Sequence, residues 1–149
     1  MIFFCDAETA LREFRRVLKP DGAVGFTTFG KGDPRWDWHR EVLRSLAPDD
    51  GPPQRQGPSP QAPETAAELE PLLDSAGFDR IRVHEETHDL RFVDPDEWWQ
   101  WVWSQGQRGF LETLDDERLE RYREEVYARL PDPIVNTWTI LYALARRAG

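Results

Sequence analysis

Cysteine is nearly absent from this chain: Cys5 stands alone, so no disulfide can close within it. Histidine occurs only three times, which leaves little material for a metal cage. Positive charge is in deficit. Nineteen Lys and Arg face 28 Asp and Glu, and the net charge of -9 repels any polyanion, so nucleic acid is not an expected partner. Long hydrophobic runs are missing too: the longest, WTILYALA at 138–145, falls far short of the roughly 20 residues that a bilayer-spanning helix needs. No membrane contact is expected. MIFF is followed at once by Cys5, Asp6 and Glu8 and not by a secretory apolar region, and with the single thiol this points to a reducing, cytoplasmic setting.

What is present suffices for a packed core. The 149 residues are 39% hydrophobic and 12% aromatic, with seven tryptophans, a composition that folds despite 32% charged residues. The length fits one domain, 1–149.

In DAETALREFRRVLKPDG, Asp6 is an N-cap and Ala10, Leu11, Phe14, Val17 and Leu18 form one helical stripe, which Pro20 and Asp21-Gly22 end. AVGFTTF, 23–29, is β-branched and aromatic between glycines and reads as a strand. Trp36, His39, Val42, Leu43 and Leu46 recur at helical spacing. Residues 47–64 are proline-rich without apolar periodicity, a flexible loop. Thr65 and Glu68 make a capping box before Leu69, Leu72 and Leu73, with Gly77 as the stop; Pro71 implies that the regular part of this helix starts late. Residues 80–92 are strand-like, but Ile81 and Val83 have one parity and Leu90 and Phe92 the other, which implies a bulge or break at the polar centre. Asp94-Pro95-Asp96-Glu97 starts a helix rich in tryptophan, and DDERLERYREEVYARL is a second, with Leu119, Tyr122, Val126 and Leu130 on its apolar face. The closing NTWTILYALARR is apolar at both parities, as in a strand buried on both faces.

His84, Glu85 and His88 stand in the order and spacing of H-E-x-x-H, a zinc-protease pattern. That chemistry needs a helix, where residues four apart lie roughly 6 Å from each other; in a strand the same pair is roughly 13 Å apart. The window has no helical apolar stripe, and no metal site is expected there.

Several strings together resemble the class I S-adenosylmethionine-dependent methyltransferases. ALREFRRVLKPDGAVGFTTFG is similar to the helix, R-V-L-K-P-G-G turn and fifth strand of that family, with Asp21 in place of a glycine. ELEPLLDSAGFDRIRV and TILYALARR are similar to its later helix with an A-G-F ending, the next strand, and the closing antiparallel strand. The resemblance covers nearly the whole chain and implies a partial Rossmann-like α/β fold of about three strands: helix, strand, helix, then strand, two helices and a closing antiparallel strand. It matches the C-terminal half of the family only. No E/D-x-G-x-G-x-G string occurs, so the cofactor-binding half is expected to lie outside these residues. S-adenosylmethionine is accordingly expected only where another chain or a preceding segment completes the fold, and none for this chain alone. The strand 23–29, lacking its neighbour, is expected to pair in a homo-oligomer or with a partner chain.

The resemblance also places the substrate lid after the fifth strand and between the last two strands. Phe29, Trp36 and His39 fall in the first region, and His39 is a candidate general base toward an acceptor hydroxyl. Trp98, Trp99, Trp101 and Trp103 fall in the second, either as core or as the wall of a pocket for a flat small molecule. Arg108 either holds a substrate anion beside Trp98, Trp99 and Trp103 or sits in a surface ion pair. Cys5 reads as an inert thiol. Two functions stay open: the substrate-side part of a truncated or split small-molecule methyltransferase, and a non-catalytic methyltransferase-like binding or partner protein.

Overall fold

The computed structural model describes residues 6–46 and 62–149. Cys5 and most of the proline-rich loop expected at 47–64 lie outside them. The element order is α1 (Ala7–Val17), β1 (Ala23–Phe29), α2 (Asp37–Ser45), α3 (Ala66–Ser75), β2 (Phe78–Phe92), α4 (Pro95–Ser104), α5 (Arg108–Leu111), α6 (Asp116–Arg129) and β3 (Ile134–Arg147). The strands form one sheet in the order β1-β3-β2. β3 runs antiparallel to β1, with Ala23 opposite Arg146 and Phe29 opposite Ile140. This is the expected three-stranded α/β arrangement, with three helices between β2 and β3 where two were expected. Extended backbone at Gln105 ends α4, and α5 then forms as a single turn.

The chain builds two compact units: one from the described residues of 1–32, 56–88 and 138–149, the other from those of 33–55 and 89–137. In the first, Asp6 Oδ1 accepts from the N–H groups of Glu8 and Thr9 at 2.9 and 3.2 Å and starts α1. Leu11 of α1, Leu69 and Leu73 of α3, and Leu141 of β3 are fully buried in one cluster, joined by Phe78, Ala143 and Ala145. α1 and α3 thus cover one face of the sheet.

Two backbone positions explain the strings that carried the family resemblance. Asp21, which stands where a glycine is usual, adopts φ +58, a left-handed conformation that Asp tolerates better than most residues. Gly22 N–H then closes the turn on Lys19 O at 2.9 Å, and Arg147 N–H of β3 donates to Gly22 O at 2.8 Å. Gly77 ends α3 with φ +84. A Cβ there would come within 2.5 Å of Arg15 Nε, whose guanidinium donates to Gly77 O.

Three local expectations need correction. α3 is regular from Ala66 onward, with Pro71 inside it on the exposed side, because the Thr65 cap already fixes its first turn. β2 runs from Phe78 to Phe92 without the break; its left-handed residue is Arg80, φ +48, and residues 84–89 are all exposed between the two half-buried parities. Nor is β3 buried on both faces: Leu141, Ala143 and Ala145 are buried, but Tyr142 and Leu144 on the other parity are 39% and 50% exposed. Among the described residues, nothing packs over that second face deeply enough to bury them.

Leu73→Ala is expected to cost about 2–5 kcal/mol, as a cavity in a fully buried site does. Gly77→Ala should cost more than 1 kcal/mol through its positive φ and its contact with Arg15. Urea denaturation checks both, with Val93→Ala, at a residue 91% exposed, as a control near zero.

Candidate functional site

The second unit is built on aromatic rings. Asp33 Oδ1 accepts from Arg35 N–H at 3.0 Å and caps the turn Pro34–Trp36, which leads into α2. Asp94 Oδ1 accepts from Glu97 N–H at 2.8 Å and starts α4, with Pro95 in its first turn. These caps bring Trp36 and Trp98 together, stacked with centroids 5.9 Å apart and planes at 15°. Trp38 stacks on Trp36 at 5.9 Å, and Trp36 Nε1 donates to Val135 O at 3.0 Å. Trp98 Nε1 is buried with no hydrogen-bond partner among the described residues.

His39 lies inside this stack, with its ring edge-on to Trp98 at 5.4 Å and to Trp38 at 5.8 Å. It is 7% exposed. Its Nε2 forms a hydrogen bond with the Tyr122 hydroxyl of α6. Burial pushes the His39 pKa down to about 4 and raises that of Tyr122, because a low-dielectric site disfavours both charged forms. His39 is therefore neutral at pH 7, and its one described hydrogen bond is internal. Tyr122 is the partner that sequence reasoning did not assign. Its only signal was a hydroxyl on the apolar stripe of α6.

The remaining rings sit nearer the surface. Trp99 meets Tyr122 at 5.6 Å and Trp103 at 6.1 Å, and all but Tyr122 are half-buried. Arg123 lies over Trp99 at 5.8 Å and over Tyr127 at 5.2 Å. Asp96 Oδ1 accepts from the Tyr127 hydroxyl at 2.7 Å and from Arg123 at 3.2 Å, which ties α4 to α6. Those two hydrogen bonds hold the Asp96 carboxyl below its usual range. Trp101 faces Phe92 at 5.3 Å.

The structure thus brings Trp36, His39, Trp98, Trp99 and Trp103 into one aromatic cluster. It places Arg108 in an exposed ion pair with Glu112 at 2.7 Å, one helical turn away. Phe29 belongs to the first unit, edge-on to Trp138 at 4.9 Å. His84 and His88 lie on β2, each with Nε2 3.3 Å from one oxygen of Glu86, so the helical geometry of the zinc pattern is not formed. Among the described residues, no group of three or more His, Cys, Asp or Glu could hold a metal ion.

A cofactor cradle of the glycine-rich kind needs backbone N–H groups free to face the ligand. The glycine-containing stretch after β1, Gly30-Lys31-Gly32, does not meet that need. Gly30 N–H donates to Thr139 O at 2.8 Å and Lys31 N–H to Glu64 O at 3.1 Å. A Cβ on Gly30 would meet Thr139 at 2.9 Å, so this glycine serves packing. The Gly30-Lys31-Gly32 stretch is therefore not a cradle of that kind.

The burial of His39 predicts a pH dependence. At pH values above 6.5 the imidazole is neutral in both folded and unfolded chains. As pH falls from 6.5 towards 4, the unfolded chain takes up a proton that the folded one refuses, so stability falls with a limiting slope of about 1.4 kcal/mol per pH unit, on the order of 3 kcal/mol in all. Denaturation between pH 7 and pH 4.5 should show this slope, and His39→Leu should remove it.

No family model matches the chain, and no curated protein matches it. Among solved structures, the YcgJ protein from Bacillus subtilis is similar over 99% of this chain and 60% of its own, with a TM-score of 0.51 at 17% identity. A Bacillus halodurans protein assigned as a methyltransferase is similar over 95% of this chain and 63% of its own, with a TM-score of 0.51 at 11% identity. Phosphoethanolamine N-methyltransferase 2 from Haemonchus contortus, solved with S-adenosyl-L-methionine, is similar over 100% of this chain and 32% of its own, with a TM-score of 0.46 at 17% identity. The chain therefore spans less than two thirds of each of these proteins. At such identities the likeness is one of fold alone, a partial Rossmann-like α/β fold.

Proposed function

We propose that this chain is the substrate-side part of an S-adenosylmethionine-dependent small-molecule methyltransferase, and that a separate segment or chain supplies the cofactor-binding part. The observation that carries this reading is the second face of β3. Its sequence is apolar at both parities, yet Tyr142 and Leu144 remain exposed, as they would if cover comes from outside the described residues. β1 adds an edge that is bare among the described residues, where its only neighbour in the sheet is β3. Opposite Tyr142 and Leu144 on β1 stand Thr27 and Gly25, small residues that let an added layer approach closely.

In this reading, the half-buried rings of Trp99 and Trp103 offer the acceptor a flat apolar surface, and Trp36, Trp98 and His39 hold α2, α4 and α6 in place beneath it. His39 then acts by position, as the neutral partner of Tyr122. Arg108 would reach a substrate anion only by leaving Glu112. The burial of His39 and the occupied N–H groups of Gly30 and Lys31 favour a second reading, a non-catalytic methyltransferase-like binding protein.

Two measurements separate these readings. The DNA flanking the coding sequence should encode a strand followed by a glycine-rich turn and a helix, in frame or in an adjacent gene; its absence from both would sink the split-enzyme reading. Titration calorimetry of the purified chain with S-adenosylmethionine should show millimolar binding or none, whereas micromolar affinity would contradict the division of labour and make this chain a methyltransferase by itself.

A further inference from the structure

A cavity of about 330 Å³ opens in the second unit where the end of β2, the loop into α4, the last turn of α6 and the start of β3 meet. Its volume lies in the range of small-molecule sites. Phe92, Tyr127, Leu130 and Ile134 give it an apolar lining, and Val93, 91% exposed, stands at its rim. An aliphatic side chain so fully in water at the mouth of an apolar cavity is surface that a ligand would cover.

Among the described residues, the charged groups that line the cavity are acidic, and the nearby Arg123 lies over the Tyr127 ring at 5.2 Å. No Lys or Arg lines it, while Asp94 and Asp132 do. Asp94 is engaged with the first turn of α4, through Glu97 N–H. Glu97 in turn accepts from Val93 N–H at 2.6 Å. Asp132 makes no hydrogen bond or ion pair with any described residue, and is exposed. The cations of α6 closest in sequence are committed elsewhere, Arg123 to Asp96 at 3.2 Å and Arg129 to Glu125 at 2.8 Å. The last turn of α6, which supplies Tyr127, adds the partial negative charge of its unpaired carbonyls.

We propose that this cavity is a binding site for small organic ammonium ions with an apolar body, the body on Phe92, Leu130 and Ile134 and the ammonium at Asp132. The site is independent of the methyltransferase reading: it uses neither the bare face of β3 nor the aromatic rings stacked on His39.

The test is titration of the intact chain with 2-phenylethylammonium, followed through the methyl resonances of Val93, Leu130 and Ile134, beside the anion 3-phenylpropionate. The roughly nine heavy atoms of 2-phenylethylammonium support a Kd on the order of a millimolar or tighter. The ammonium should shift those methyls saturably, and the carboxylate should bind at least tenfold more weakly. Asp132→Asn and Val93→Lys, both at exposed positions where the fold is not at stake, should each weaken the ammonium about tenfold, and so should raising the salt from 0.05 to 0.5 M. No saturable shift up to 10 mM, equal binding of the carboxylate, or an unchanged Kd in Asp132→Asn would each overturn the proposal. None of these results depends on S-adenosylmethionine.

Discussion

A strand that is apolar on both sides must be covered on both sides, and the first unit is organised around that unmet requirement. β3 takes the centre of the sheet, held by β1 along one edge and β2 along the other. On one parity it buries Leu141, Ala143 and Ala145 beneath α1 and α3. On the other, Tyr142 and Leu144 remain in water. Each buried aliphatic side chain contributes roughly 1.5–3 kcal/mol, so leaving two apolar positions exposed forgoes stability that a covering layer would recover. The Lys19 to Gly22 turn and the Gly77 stop fix the geometry around this sheet, and neither supplies that cover.

The second unit satisfies its own needs more fully. Trp36, Trp98, His39 and Tyr122 fill its interior, and the polar atoms of the last two meet each other. The consequence is chemical as well as structural. An imidazole forced neutral by burial, with its Nε2 engaged by a phenol, is poorly placed to take a proton from a substrate, but it positions two helices well. Asp96, Arg123 and Tyr127 repeat the device at the surface, where screening makes each contact worth little singly.

Local rules made much of this legible. The Asp6, Thr65 and Asp94 caps, the Asp21-Gly22 turn and Gly77 are short-range features, and each was readable from a few neighbouring residues. The parity change of β2 between Val83 and Leu90 was readable too, whereas the left-handed residue Arg80 leaves no compositional trace. Pairings over long separations were invisible: Tyr122 lies 83 residues from His39, and only the fold brings them together. The H-E-x-x-H pattern shows the opposite failure, correct spacing on the wrong backbone. For β3, the sequence reports double burial and the structure supplies half of it; the proposed assembly would supply the other half.

Light scattering on the purified chain at micromolar concentration, beside Leu144→Glu, addresses that assembly directly. If the second face of β3 is built to be covered, the chain associates with itself when nothing else is offered, and Leu144→Glu is a folded monomer with unchanged circular dichroism. A stable monomer for the unmodified chain, or self-association that Leu144→Glu leaves intact, would contradict the account.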